Sequence, residues 1–137
     1  MSSLVVDTSV AVKWFVREEL SDAAEALWSA GLKLHAPDLM WLETANALWK
    51  KWRKKDLPLT DVGPSVTRLR EVIDRWHDDI DLVEAATAMS LELDHPVYDC
   101  VFLVLAHNLK SRVISADQRL LAAAPAGLAI ALADWNS

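Results

Sequence analysis

The sequence predicts an α/β fold, a three-layer domain with a central parallel sheet of four to five strands and helices on both faces. Three observations carry this. Short apolar runs such as Leu4-Val5-Val6 lack the polar alternation of a solvent-facing strand, which suits the buried middle of a parallel sheet. Each run is followed by a stretch of helical length with capping or stop residues at its ends. No repeat, low-complexity tract or long linker divides the 137 residues, so one domain spanning 1–137 is expected.

In chain order, Leu4–Asp7 reads as the first strand, and Thr8 or Ser9 caps a helix through Phe15. Ser21 caps a second helix to about Ala30, where Gly31 stops it. Lys33–Ala36 is a second strand, and Pro37-Asp38 open a long helix to about Lys55. Leu57–Asp61 connects it to a helix over Pro64–Trp76, capped by Thr60 or Asp61. Ile80–Val83 is the third strand expected, followed by a helix over Glu84–Leu93. Pro96 fits the first turn of the next helix, ending near Leu109. Arg112–Ser115, Asp117–Ala123 and Leu128–Leu132 then read as strand, short helix and last strand.

Composition narrows the function classes. Hydrophobic residues make up 53% of the chain, enough for a packed core, and the formal net charge of −6 disfavours nucleic-acid binding through overall charge. A nucleic-acid substrate would need a local basic patch. The single cysteine, Cys100, excludes an internal disulfide and fits a cytoplasmic protein. The longest uncharged stretch, Leu120–Ala133, contains Pro125 and Gly127 and is too short to span a bilayer, so no membrane contact is expected.

Four carboxylates stand in costly settings. Asp7 ends the first strand, and Asp117 follows the strand Arg112–Ser115, so both fall at carboxyl ends where open parallel sheets build their sites. Asp99 interrupts a helix that is otherwise apolar all round, and a carboxylate in its first turn gains from the helix dipole. Glu43 shares a helical stripe with Asn46 and Lys50, and no basic residue three or four positions away pairs with it. Each acid also has an ordinary reading. Asp7 and Asp117 can cap helices, Glu43 can be a solvated residue, and Asp99 can accept hydrogen bonds from a loop. Ser115, two residues before Asp117 and on the same side of an extended strand, can hold a carboxylate or a water. Gathered together, four acids need a divalent cation to offset their repulsion, and hard oxygen ligands favour Mg²⁺ or Mn²⁺. Such a centre can activate a water and neutralise a leaving oxygen in phosphodiester hydrolysis.

The motifs now resemble those of the PIN-domain ribonucleases, and within them the toxins of VapBC toxin–antitoxin pairs. Val5-Val6-Asp7-Thr8-Ser9 resembles the strand-Asp-x-Ser opening. Glu43-Thr44-Ala45-Asn46-Ala47-Leu48 resembles the Glu-x-x-Asn-x-Leu helix. Tyr98-Asp99-Cys100-Val101-Phe102-Leu103-Val104-Leu105-Ala106 and Ser115-Ala116-Asp117-Gln118-Arg119-Leu120 are similar to the family's third and fourth blocks, with Cys100, Phe102 and Ser115 replacing the common alanine, tyrosine and threonine. The resemblance covers nearly the whole chain. It implies a Mg²⁺- or Mn²⁺-dependent endoribonuclease acting on RNA, a homodimer, and a cognate antitoxin whose C-terminal segment blocks the site. It implies that Asp7, Glu43, Asp99 and Asp117 hold metal, directly or through water, that Ser115 assists, and that Asn46 and Thr8 support them.

Lys50, Arg53 and Lys54 continue the Glu43 stripe and suggest a track for RNA phosphates; a solvated helix end is the plainer alternative. Leu42, Ala45, Trp49 and Trp52 occupy a different, apolar face of the same helix. Of seven tryptophans most are expected in the core, with Trp14, Trp28 and the 41–52 helix candidates for an aromatic groove that receives the antitoxin. His35, His77, His95 and His107 lack metal-ligand spacing and read as structural or solvated, and Cys100 reads as packing. A Mg²⁺-binding phospho-acceptor domain fits less well, because one acid rather than two follows the first strand and no lysine lies beyond Lys110. Ser9 stands where an Asp-x-Asp phosphatase needs its second aspartate. A noncatalytic RNA-binding or scaffold protein is the remaining alternative, and the intact acid set argues against it.

Overall fold

The computed structural model describes residues 2–135. Five strands form one wholly parallel sheet: β1 (Ser3–Val6), β2 (Lys33–Pro37), β3 (Arg75–His77), β4 (Val113–Ser115) and β5 (Ala129–Ala131), in the order β3-β2-β1-β4-β5. The helices are α1 (Thr8–Ala11), α2 (Ser21–Ala26), α3 (Asp38–Arg53), α4 (Leu59–Val72), α5 (Val83–Leu93), α6 (Val97–Asn108) and α7 (Gln118–Ala123). The chain winds outward from β1 to β3, then crosses back to β4 on the other side of β1. Right-handed crossovers therefore put α1–α4 on one face and α5–α7 on the other, with α6 packed across β1, β2 and β4. The reversal of winding occurs between β1 and β4, where open α/β sheets place their sites.

The sequence explains the centre of this arrangement. Leu4, Val5 and Val6 of β1 are buried, as are all residues of α6 from Cys100 to Ala106. Each fully buried Leu, Ile or Phe here contributes about 1.5–3 kcal/mol relative to exposure. The α6 helix is apolar all round because it lies between the sheet and α5 rather than on the surface. No described helix is long and apolar enough to cross a membrane.

Several local expectations are corrected. Ile80–Val83 is not a strand: Asp79–Asp81 is a 3₁₀ turn, Val83 begins α5, and Ile80 is 83% exposed. The third strand is Arg75–His77, so Arg75 and Trp76 are not the end of the helix expected over Pro64–Trp76. Asp74 makes the switch. Its backbone N–H donates to Leu34 O at 2.9 Å and its Oδ2 accepts from Leu34 N–H at 2.7 Å, which draws the chain onto β2. The preceding helix, α4, starts earlier than expected, with Pro58 rather than Thr60 or Asp61 at its cap, and carries Pro64 inside it. Thr8, Ser9 and Ser21 do not cap helices through their side chains; Asp7 and Leu20 occupy those cap positions. The Thr8 and Ser9 hydroxyls are engaged elsewhere, as described below.

The long α3 helix does not bury its more apolar face. Met40, Thr44 and Leu48 face the core, while Leu42, Trp49 and Trp52 are 73%, 45% and 39% exposed. The tryptophans are accordingly divided: Trp14 is buried, whereas Trp28, Trp49 and Trp52 are exposed. Leu48→Ala should therefore cost about 2–5 kcal/mol in chemical denaturation. Leu42→Ala should stay within about 0.5 kcal/mol of the parent. Equal costs for the two would contradict this assignment of faces.

Candidate active site

Four acids reach one cavity by different routes. Asp7 arrives on the end of β1 and Asp117 two residues past β4. Asp99 lies in the first turn of α6, from one helical layer, and Glu43 in α3, from the other. All four line a single cavity of about 330 Å³ with Thr8, Ser9, Asn46, Ala47 and Lys50. Ser115, buried beneath it, does not line the cavity but touches Asp7. Arg53 and Lys54 lie outside, along α3.

Asp7 is the buried centre. Ser9 Oγ donates to its Oδ2 at 2.6 Å and Ser115 Oγ donates to the same oxygen at 2.9 Å. The two hydroxyls are themselves fixed by backbone donors: Ala116 N–H to Ser9 Oγ at 2.9 Å, Asp117 N–H to Ser115 Oγ at 3.0 Å. The loop after β4 is thereby tied to the loop after β1. Around Asp7 the other acids are each held at one oxygen. Thr8 Oγ1 donates to Glu43 Oε1 at 2.8 Å. Asp117 Oδ1 caps α7 by accepting from Arg119 N–H at 2.9 Å, as a helix-capping reading requires.

His95 holds Asp99, a contact the sequence reading missed. Its Nε2 lies 2.7 Å from Asp99 Oδ2, and since a carboxylate oxygen accepts, Nε2 carries the proton. Ser90 Oγ donates to His95 O at 2.5 Å, anchoring the histidine to α5. The signal was the i, i+4 spacing of His95 and Asp99 across Pro96, rather than any metal-ligand motif. His35 and His77 pair with each other instead, Nδ1 to Nε2 at 2.9 Å across β2 and β3.

Each acid thus has one oxygen occupied by a protein donor, while the other takes no side-chain or backbone hydrogen bond among the described residues. Burial pushes the Asp7 carboxyl above its ordinary pKa; the Ser9 and Ser115 hydroxyls oppose the rise, and the charges of Asp99 and Asp117 add to it. Glu43 is raised too, first by burial and then by Asp7 and Asp99, against the Thr8 hydrogen bond. This donor set, all oxygen and mutually repelling, fits a hard divalent cation. Among the described residues no group of three or more His, Cys, Asp or Glu side chains stands in an arrangement that could hold a metal ion. An ion in this cavity would be held by one or two of the carboxylates together with its own waters, the way Mg²⁺ commonly binds.

The chain matches the PIN domain family over residues 4–125. It belongs to that family. The PIN domain is 31% identical over 125 residues to Ribonuclease VapC3 of Pyrobaculum aerophilum, covering 90% of this chain and 95% of that protein. Solved structures share its fold at lower identity. PAE2754 of Pyrobaculum aerophilum superposes with a TM-score of 0.75 at 18% identity, over 96% of this chain and 84% of that one. A toxin–antitoxin complex from Klebsiella pneumoniae gives 0.71 at 15% identity, over 94% and 97%. VapC20 of Mycobacterium tuberculosis, a sarcin–ricin loop cleaving toxin, gives 0.67 at 19% identity, over 88% and 94%.

The raised Asp7 pKa has a stability consequence in this PIN domain. A carboxyl whose folded pKa exceeds its unfolded value costs nothing below the unfolded value; the penalty grows as pH rises through the window between the two and is complete above the folded value. In chelator, Asp7→Asn should therefore raise the melting temperature at neutral pH, by about 3 °C per kcal/mol relieved. The gain should shrink toward pH 4. Circular dichroism melts at several pH values check this, and a lower melting temperature for Asp7→Asn at neutral pH would contradict it.

Proposed function

We propose that the chain is a Mg²⁺- or Mn²⁺-dependent endoribonuclease of the toxin type, restrained by a cognate antitoxin. The observation that carries this reading is the convergence of Asp7, Glu43, Asp99 and Asp117 on one cavity, each with one oxygen secured and the other free. The ribonuclease named among its relatives supports RNA as substrate, and the toxin–antitoxin complex of the same fold supports an antitoxin partner. Asp7, Glu43, Asp99 and Asp117 would hold the ion, in part through water. A bound ion would supply a water of lowered pKa and neutralise charge on the leaving oxygen.

The chain's own groups do the positioning. Ser9 and Ser115 fix the Asp7 carboxylate in one orientation, Thr8 fixes Glu43, and His95 fixes Asp99. Lys50, at the rim, is placed to take a substrate phosphate beside an otherwise acidic wall. Asn46, also lining the cavity, offers an amide donor and acceptor to a water or a 2′-hydroxyl. Ile80, Val83, Leu91 and Tyr98 leave exposed apolar surface along the α5–α6 layer, which supports a homodimer.

RNA cleavage by the purified protein should require Mn²⁺ or Mg²⁺ and stop in chelator. Asp7→Asn and Asp99→Asn should each lower the rate at least about a hundredfold while circular dichroism shows the fold retained. Cleavage in chelator, or full activity in both variants, would overturn the mechanism. Co-expression with the product of an adjacent reading frame, followed by loss of that cleavage, checks the antitoxin.

A further inference from the structure

We propose that Trp49, with Lys50, Arg53 and Lys54, forms a stacking subsite for an unpaired base of single-stranded RNA. The proposal rests on the nuclease reading above and deepens it. Lys50 lines the acidic cavity and also a second hollow of about 340 Å³, whose other walls are Trp49, Arg53 and Lys54. The two depressions therefore share a wall. A hollow of this volume falls in the range of small-molecule pockets, roughly 300–1,000 Å³.

The chemistry of the second hollow complements that of the first. Four carboxylates repel a phosphate backbone, so a strand delivered to them needs cations beside them. The second hollow presents three cations and no acid, on a chain whose net charge is −6. Trp49 is 45% exposed, and the Arg53 guanidinium lies over its ring, 5.3 Å from the centroid. That contact steadies the indole without burying it. Exposed aromatics beside cations are the platform on which single strands stack, because every base offers a π-face. A duplex keeps its bases stacked on one another and offers none.

Position fixes the relation between the two sites. Glu43 and Trp49 lie on the same helix, about 9 Å apart along its axis and about 120° apart around it, with Lys50 between them lining both hollows, so a strand that curves around the helix at Lys50 passes from one to the other. Leu48, fully buried, anchors this turn of α3 to the core, so the platform does not drift relative to the acids. The charge of the hollow favours a polyanion over an apolar protein segment as its occupant.

The test uses the full chain in chelator, where no cleavage occurs, and a short fluorescein-labelled single-stranded RNA of mixed sequence. Trp49→Ala should weaken binding by about tenfold or more, and Trp49→Phe should retain most of it. The salt slope should stay unchanged in Trp49→Ala. In the triple variant Lys50→Gln, Arg53→Gln, Lys54→Gln it should fall by about 2. A duplex of the same sequence should bind weakly and be insensitive to Trp49→Ala. Unchanged single-strand affinity in Trp49→Ala would overturn the proposal, and a changed elution volume with unchanged affinity would reassign Trp49 to a protein contact. A Mn²⁺ cleavage assay separates the two readings. Cleavage by the parent with no effect of Trp49→Ala on binding sinks the subsite alone, whereas Trp49-dependent binding with no cleavage sinks the nuclease reading alone.

Discussion

A buried carboxylate that cannot be left uncompensated governs this fold. Asp7 follows three buried apolar residues of β1 and is itself only 4% exposed. Two serine hydroxyls partly offset the loss of water, and both are aligned by backbone N–H groups of the loop after β4. The acid and the loop are mutually dependent: without Ser9 and Ser115 the charge would be stranded, and without an acceptor oxygen at position 7 the two hydroxyls would lose their partner. Asp99 and Asp117 add repulsion to the cost of burial, so the cavity is under electrostatic load. Carboxyls whose pKa is shifted in this way cluster at functional sites.

Topology makes the load local. Because the chain reverses its winding between β1 and β4, the carboxyl ends of those strands open a crevice that no crossover covers. The α6 helix begins at this edge and brings Asp99 in its first turn, where the helix dipole favours negative charge. The α3 helix leaves β2 at the same edge and brings Glu43 from the opposite layer. Three layers therefore contribute to one cavity, although 110 residues separate Asp7 from Asp117 in sequence.

Much of this was legible in the sequence, for physical reasons. Strands buried on both faces announce themselves as unbroken apolar runs, which is why β1 and β4 were readable, whereas β2, with Lys33 and His35 in it, was readable from Gly31 and Pro37 on either side. The β3 strand was not, because an edge strand with the sequence Arg-Trp-His carries no such pattern and is recruited by Asp74 hydrogen bonds from a distant strand. Ile80-Asp81-Leu82-Val83 has strand-like residues, but the aspartates at 78, 79 and 81 favour a turn, and Ile80 faces outward. The acids were visible because charge in apolar surroundings is conspicuous. His95 was not, because its role depends on where the turn before α6 points the ring. Which stripe of α3 is buried was equally hidden: the Leu42–Trp52 face is the more apolar, yet Met40, Thr44 and Leu48 meet the core. Trp49 and Trp52 are thereby left exposed on the helix that carries Glu43.

The most direct measure of the central claim is the free-ion EPR signal of Mn²⁺ titrated with the metal-free protein. The account predicts a saturable loss of that signal with the parent chain and a markedly weaker one with Asp7→Asn. A signal that persists undiminished at excess protein would show that the converging acids hold no ion.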